Sequence, residues 1–410
     1  MARSNLRTPP APAAAAAAWL TLAVLLLFSI AAPLNQFKVP PIMPVLMETL
    51  GLTVSGAGLV MSVYAITGLI LALPAGLIYA KAGPRLTGIL AGGSIVLGSA
   101  LGALSSGTGA LLASRVIEGI GTSFMAVLAP AIIAQWFSAR RRGTAMGIWA
   151  VWVPVGTAAM LILAPSLAQA AGWRAVWWLG AVYALVVTLL YLAFVRPAPR
   201  APSPLPGRAA AGARDAHRQQ EVTAAQVLRN GNIWLLAGAF AAFNGAAVGL
   251  GTYMPTFLTS EHGLPLAQAA LISSILTLVT IFSAPAGGVL SDRIGSRKRP
   301  YLVGLAAGIV LLPLVGLLGV TAIIVLVVLA GLFLGIVPTN IFAAAVEAAG
   351  DERQGGAAMA VIMVGQNAGM LLGPLVVGLL AETAGWTAAF ASLAAISALG
   401  LLSGWLARVR

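Results

Sequence analysis

Three ionisable side chains stand inside long apolar runs: Lys38 in LNQFKVPPIMPVL (34–46), and Arg115 and Glu118 in LLASRVIEGIG (111–121). Charge at such positions is expensive and marks function by default. Arg115 and Glu118 are three apart, on one face of a helix, so they can neutralise each other. One reading makes Glu118 a proton carrier tuned by Arg115. The other makes them a structural pair in which each offsets the desolvation of its partner. Lys38 has no acid within four residues. It could snorkel to the outer interface on its long stem. Asn35, Gln36, Pro40, Pro41 and Pro44 favour instead a broken helix lining a cavity, because irregular backbone at membrane depth must be satisfied by protein or water. On that expectation an anion in the cavity compensates the ammonium. Further candidate lining residues are Tyr64, Trp149, Trp152, Asn244, Tyr253, Asn340, Gln366 and Asn367, each polar or aromatic within an apolar run. A helix-to-helix hydrogen bond is the alternative role for any of them.

The elements that must hold these groups follow from composition. The chain has 410 residues, of which 60% are hydrophobic and 8% charged. A soluble domain carries about 25% charged residues, so this is a polytopic membrane protein. Its net charge of +13 is distributed over short links between apolar runs and does not point to nucleic acid. There is no cysteine, which excludes disulfides, thiolate metal sites and cysteine nucleophiles. His217 and His262 fall in predicted loops without a partner at metal-ligand spacing. No nucleophile–base pair or phosphate loop appears, so neither an enzyme nor a cofactor or metal is expected. The apolar run after MARSNLRTPPAP is long for a signal peptide and reads as a first membrane helix.

A helix crosses the hydrocarbon core in about 20 residues. Apolar segments of that order fall at 18–47, 55–79, 86–105, 109–137, 144–169 and 173–195, and again at 232–258, 265–290, 301–319, 321–347, 356–382 and 386–406. The expected fold is an all-α polytopic membrane protein with twelve transmembrane helices in two pseudo-symmetric six-helix bundles. These are residues 1–195 and 232–410, joined by a Pro-, Ala- and Arg-rich linker at 196–231. With both termini cytoplasmic, all of the 23 basic residues except Lys38, Arg115 and Arg174 lie on the inner side. The two halves also repeat: AGW at 171–173 recurs at 384–386, Gly143 and Gly156 match Gly356 and Gly369 at the same offset, and Met-Pro followed by Gly-Leu occurs in both.

The link GVLSDRIGSRKRP, at 288–300, resembles the loop signature of the major facilitator superfamily, Gly-x-Leu-x-Asp-Arg-x-Gly-Arg-Arg/Lys. It matches at Gly288, Leu290, Asp292, Arg293, Gly295 and Arg297, with Ser296 in place of the first arginine after the glycine and Lys298 following. The first-half copy, GLIYAKAGPRL, keeps Gly76, Gly83 and Arg85 but has Ala80 where the aspartate belongs. Arg115, Gly119 and Gly121 are similar to that superfamily's Arg-x-x-x-Gly-x-Gly in span 4. The resemblance implies a transporter with a midplane site between halves, a cytoplasmic latch at the loop motifs, a small-molecule substrate with an exchanged or co-transported ion, a monomer in the plasma membrane, and no cofactor. Asp292 is then expected to meet the start of span 5 near Arg142 and Gly143, and Asp351 or Glu352 to meet Lys81 or Arg85. Within the superfamily the cyanate-porter and anion:cation symporter groups are the nearest resemblance. The arginines of nitrate/nitrite porters in spans 2 and 8 are missing, and span 7 lacks the arginine of organic phosphate exchangers. One cavity lysine suggests a singly charged ligand. The rival readings are a proton-coupled drug or metabolite exporter, although GIWAVWVPVGTA keeps only Pro154 and Gly156 of that group's span-5 motif, and a non-transporting membrane sensor.

Overall fold

The structure is a computed structural model and describes residues 12–72, 74–195, 226–350 and 354–409. Among these residues it is helical, without strands. A first set comprises α1 (Pro12–Gln36), α2 (Met43–Leu50), α3 (Val54–Leu71), α4 (Pro74–Ala103), α5 (Thr108–Trp136), α6 (Ala139–Trp149), α7 (Trp152–Ala171) and α8 (Trp173–Phe194). A second set comprises α9 (Gly231–Ser260), α10 (Leu266–Ile294), α11 (Lys298–Leu314), α12 (Val320–Leu334), α13 (Ile336–Ala349) and α14 (Gly355–Leu406). Ten helical segments are long and apolar enough to cross a membrane. Beyond these, α11 has 17 residues, about 25 Å at 1.5 Å each. The 52-residue α14, about 78 Å long, exceeds twice a ~30 Å hydrocarbon core and turns back at Gly385. The whole is consistent with twelve crossings.

Glycine makes those reversals possible. Gly83 (φ 72°, ψ 175°), Gly172 (φ 78°, ψ 164°) and Gly385 (φ 82°, ψ 171°) occupy a region essentially closed to other residues. The two AGW copies therefore share one backbone conformation. The other repeat positions also correspond: a Cβ on Gly156 would strike Pro33 of α1, and one on Gly369 would strike the Ala241 carbonyl of α9. Gly365, Gly369 and Gly373 place the α14 backbone directly on the carbonyls of Ala237, Ala241 and Gly245, the tight packing that a glycine at every fourth position predicts.

The expected spans 18–47, 55–79, 144–169 and 321–347 are each divided between two helices, the first most extensively. The run 18–47 is not a single helix: α1 stops at Gln36, a 3₁₀ turn covers Pro40–Ile42, and α2 resumes at Met43. Pro40 and Pro41 have no N–H to continue the ladder, so the carbonyls of Gln36 and Phe37 lose their helical partners. Most of the expected linker, up to residue 225, lies outside the described residues, as do Asp351 and Glu352.

Packing is unequal on the two faces. On the face carrying Gly51, Gly172 and Gly263, one apolar core joins both sets, with Leu46, Val60 and Met160 of the first clustered with Phe257, Leu258 and Phe390 of the second. On the face carrying Lys81, Arg141 and Arg299 there are two separate cores: one, around Phe28, Leu128 and Tyr191, belongs to the first set, and the other, around Phe240, Tyr301 and Ile341, to the second. We call these the sealed face and the basic face.

Candidate functional site

The break after α1 assembles the site. Arg115, on α5, reaches across and donates from Nη1 to the Asn35 carbonyl and from Nη2 to the Gln36 carbonyl, both at 2.7 Å. Its Nε donates to the Val60 carbonyl at 3.2 Å, and its other Nη1 contact is Glu118 Oε2 at 2.5 Å. The guanidinium thus caps the broken helix end, where the helix dipole also favours a cation. Tyr64 lies beneath it, ring centroid 4.5 Å from Cζ, with its hydroxyl donating to the Ala32 carbonyl and bonded to Thr122.

Lys38 occupies the other side of the same carboxylate. Its Nζ donates to Glu118 Oε1 at 2.5 Å, Ser99 Oγ at 2.8 Å and Asn35 Oδ1 at 3.0 Å, and the Trp177 ring lies 4.6 Å away. All three N–H groups of the ammonium are therefore used. Lys38, Arg115 and Glu118 are each 0% exposed. The expectation of a ligand anion compensating Lys38 is corrected here: its counter-ion is Glu118, eighty positions along the chain, and the ammonium points among α4, α5 and α8 rather than toward the second set. Asn35 fixes the arrangement, its Nδ2 donating to Ala31 O at 2.9 Å and Gly180 O at 3.4 Å. A Cβ on Gly180 would collide with Asn35 Oδ1, and one on Gly98 with Glu118. Two cations share one carboxylate, so the buried cluster carries one unit of positive charge in excess.

Gln36 is the member that faces the second set. Its Nε2 points at Met370 Sδ on α14, 3.6 Å away, and Gln366 Nε2 approaches the same sulfur at 3.9 Å. A thioether is a weak acceptor, so both amides are poorly satisfied. Asn367, whose Nδ2 donates to Met363 O, lies against Gly68 of α3, where a Cβ would clash. The other candidates disperse. Trp149 donates to Ser29 Oγ at 2.9 Å and stacks on Trp152 with centroids 5.3 Å apart. Asn244 donates to Phe240 O within its own helix. Asn340 donates to Ile336 O and Gly287 O, tying α13 to α10. Tyr253 belongs to the sealed face, its hydroxyl donating to Val54 O at 3.1 Å.

Among the described residues, the loop motif makes no hydrogen bond or ion pair between the sets. Asp292 pairs with Arg297 of its own loop at 2.5 Å, and Arg297 Nε donates to Glu347 at 3.1 Å. These carboxylates, Glu347 first, raise the Arg297 pKa above its ordinary value. The residues line an open cleft of about 340 Å³ with Ser291, Gly295 and Ser296. Lys298 donates to the carbonyls of Trp405 and Ala407, each at 2.7 Å. Arg142, the partner expected for Asp292, donates to Ala134 O instead. Lys81, Arg85, Asp292 and Arg293 are all exposed. Gly83 and Gly295 take positive φ at their turns, while Gly76 stands in open space and Gly288 meets only Thr339. Among the described residues, the hydrogen bonds between the sets are Gln36–Met370, Tyr253–Val54 and two from Ser55 to Glu382.

Sequence reasoning missed Ser99, Trp177, Thr122, Met370, Glu347 and Glu382. A lone serine or methionine in an apolar run carries no signal of its own, whereas the two glutamates stood as visible acids next to loops.

Comparison with known proteins agrees with this architecture. The crystal structure of a bacterial homologue of the human lysosomal transporter Spinster, inward-facing and occupied, superposes with a TM-score of 0.78 at 17% identity, covering 94% of this chain and 96% of that one. A probable sulfoacetate transporter of Cupriavidus necator is 28% identical over 306 residues, 73% of this chain and 70% of its own. A hexuronate transporter of Bacillus subtilis is 24% identical over 373 residues, 86% and 88% of the two chains. The sequence profile of the Major Facilitator Superfamily matches residues 21–357 and 316–410, and this multi-pass membrane transporter belongs to that superfamily.

Proposed function

We propose that the chain is a secondary active transporter of a small monovalent anion, working by alternating access between residues 1–195 and 232–410. The observation that carries this reading is the pairing of Gln36 with its surroundings. Two underused amide donors, Gln36 and Gln366, face each other from opposite sets beside a buried cluster with one excess positive charge. A carboxylate or similar anion displacing Met370 would receive both amide N–H groups and the field of that cluster. The names of two relatives, transporters of sulfoacetate and of hexuronate, support an organic anion. Asn35 and Tyr64 hold this end of the site in shape, Lys38 supplies the second positive charge of its cluster, and Asn367, Trp149 and Trp152 are the remaining candidates on the route to the basic face.

Glu118 is the proton-coupling candidate, with Arg115 tuning it. A proton on Glu118 strands two buried cations, a state that an anion arriving next to Gln36 relieves. Proton and anion therefore favour each other, the thermodynamic condition for symport. Assigning the basic face to the cytoplasm makes this structure an inward-facing state in the plasma membrane, with both termini cytoplasmic and Asp292 paired within its own loop rather than with the start of span 5.

Thermal unfolding of the purified protein against a panel of monocarboxylates, small inorganic anions and lipophilic cations tests the reading. A ligand specific to the folded state stabilises it by about 2.7 kcal/mol at a hundred times its dissociation constant. The expected result is stabilisation by a monoanion that Gln36→Ala and Gln366→Ala each weaken. Stabilisation by lipophilic cations alone, equal in all three proteins, would overturn it in favour of an exporter.

A further inference from the structure

The Lys38 ammonium sits in a cup of three oxygens of different chemistry: a carboxylate oxygen of Glu118, a hydroxyl of Ser99 and the amide oxygen of Asn35, at 2.5, 2.8 and 3.0 Å. They converge on one point just beyond the carboxyl end of a discontinuous helix. Hard oxygen donors at such an end are the surroundings in which membrane transporters hold a small inorganic cation. Here the charge in the cup is covalently attached.

The cup does not depend on Lys38 for its shape. Asn35 Oδ1 also accepts from Ser99, and Asn35 Nδ2 is anchored on two carbonyls. Trp177 O, at 2.8 Å, is the alternative acceptor for the single Ser99 hydroxyl proton. Glu118 Oε2 is fixed by Arg115, which is itself tied to the carbonyls of Asn35, Gln36 and Val60. Without the ammonium the oxygens stay aimed at a vacant point. The remaining Arg115–Glu118 pair is neutral, so one monovalent cation restores the original charge. The space of a lysine side chain also admits water to complete a coordination shell.

We propose that Lys38 is a built-in substitute for an alkali cation. The native first helix set neither binds nor needs Na⁺ at this point, and removal of the side chain uncovers a Na⁺ site formed by Glu118, Ser99 and Asn35. The uncovered site concerns this point alone and stands apart from the transporter reading above.

The experiment follows the thermal midpoint of the purified full-length protein as choline chloride is replaced by NaCl at constant ionic strength. Wild type is expected to stay flat. Lys38→Ala is expected to rise saturably with Na⁺. Lys38→Met, which fills the cup with an apolar chain, and Lys38→Ala/Glu118→Gln, which lacks the carboxylate, are both expected to stay flat. Lys38→Ala that folds only in NaCl supports the proposal equally. A flat Lys38→Ala, no folded Lys38→Ala in either salt, or a saturable Na⁺ response of the wild type would overturn it. A transported solute other than an anion would sink the transport proposal and leave this titration unaffected.

Discussion

Glu118 is shared by two cations, so the three members of the cluster respond unequally to removal. Glu118→Gln leaves Lys38 and Arg115 buried without counter-charge and is expected to lower stability by about 3–5 kcal/mol. Lys38→Met keeps the Arg115–Glu118 pair and the Ser99–Asn35 bond, so a loss of only about 1–2 kcal/mol is expected. Unfolding of purified variants by heat or by detergent titration gives the order; a Lys38→Met protein less stable than Glu118→Gln would refute the shared-carboxylate account. Arg115→Lys separates charge from capping. A compact ammonium cannot serve the carbonyls of Asn35, Gln36 and Val60 and the carboxylate together, and a loss of about 2 kcal/mol or more is expected despite the retained charge. At this scale the sequence was half legible. Arg115 and Glu118 are related by helical period, so their pairing could be read directly. The Lys38–Glu118 pair joins the turn after α1 to α5, which only the tertiary fold brings together, and no local spacing encodes it. The carbonyls that Arg115 caps were implied by Pro40 and Pro41, but which side chain would reach them was not.

Among the elements, glycine spacing was the most informative signal. The four-residue interval of Gly365, Gly369 and Gly373 forecast a close helix contact, and the structure sets that ridge on the carbonyls of α9. The AGW repeat was read only as a sign of two related halves; the structure adds that both copies take one backbone conformation that only glycine tolerates. The break in span 1 was legible as a break, because prolines remove donors. Its extent was not, since the short 3₁₀ turn and α2 depend on packing against α9. Gly369→Ala is expected to push α14 off α9 and lower stability by about 1–3 kcal/mol. Gly251→Ala, on α9 with nothing within 4 Å of the added methyl, should be neutral or stabilising by up to about 1 kcal/mol. Thermal midpoints of the two variants side by side check this. Equal losses would mean that the carbonyl ridge is not what holds α14 to α9.

For the whole molecule, the alternating access proposed above makes the contacts of the sealed face, where one core joins both sets, specific to this conformation. Glu382, at the far end of the first arm of α14, accepts from Ser55 N at 3.0 Å and from Ser55 Oγ at 2.6 Å. It thereby caps the amino end of α3 from the other set, where the helix dipole favours a carboxylate. It was visible as an acid next to a loop, but its partner lies in the other half and no local spacing links the two. A contact made in one state and absent in the other shifts the balance between them by its own differential free energy. The carboxylate is exposed, so water screens the contact, and Glu382→Ala should move the equilibrium only modestly toward opening of the sealed face. The chain has no cysteine, which allows spin labels at Thr49→Cys and Thr383→Cys, both exposed on this face, without background. Glu382→Ala is expected to add a longer distance to the one given by the labelled parent. An unchanged distribution, in a protein whose thermal midpoint confirms folding, would mean that the apolar core alone keeps the face shut and that the cap contributes nothing to the choice of state.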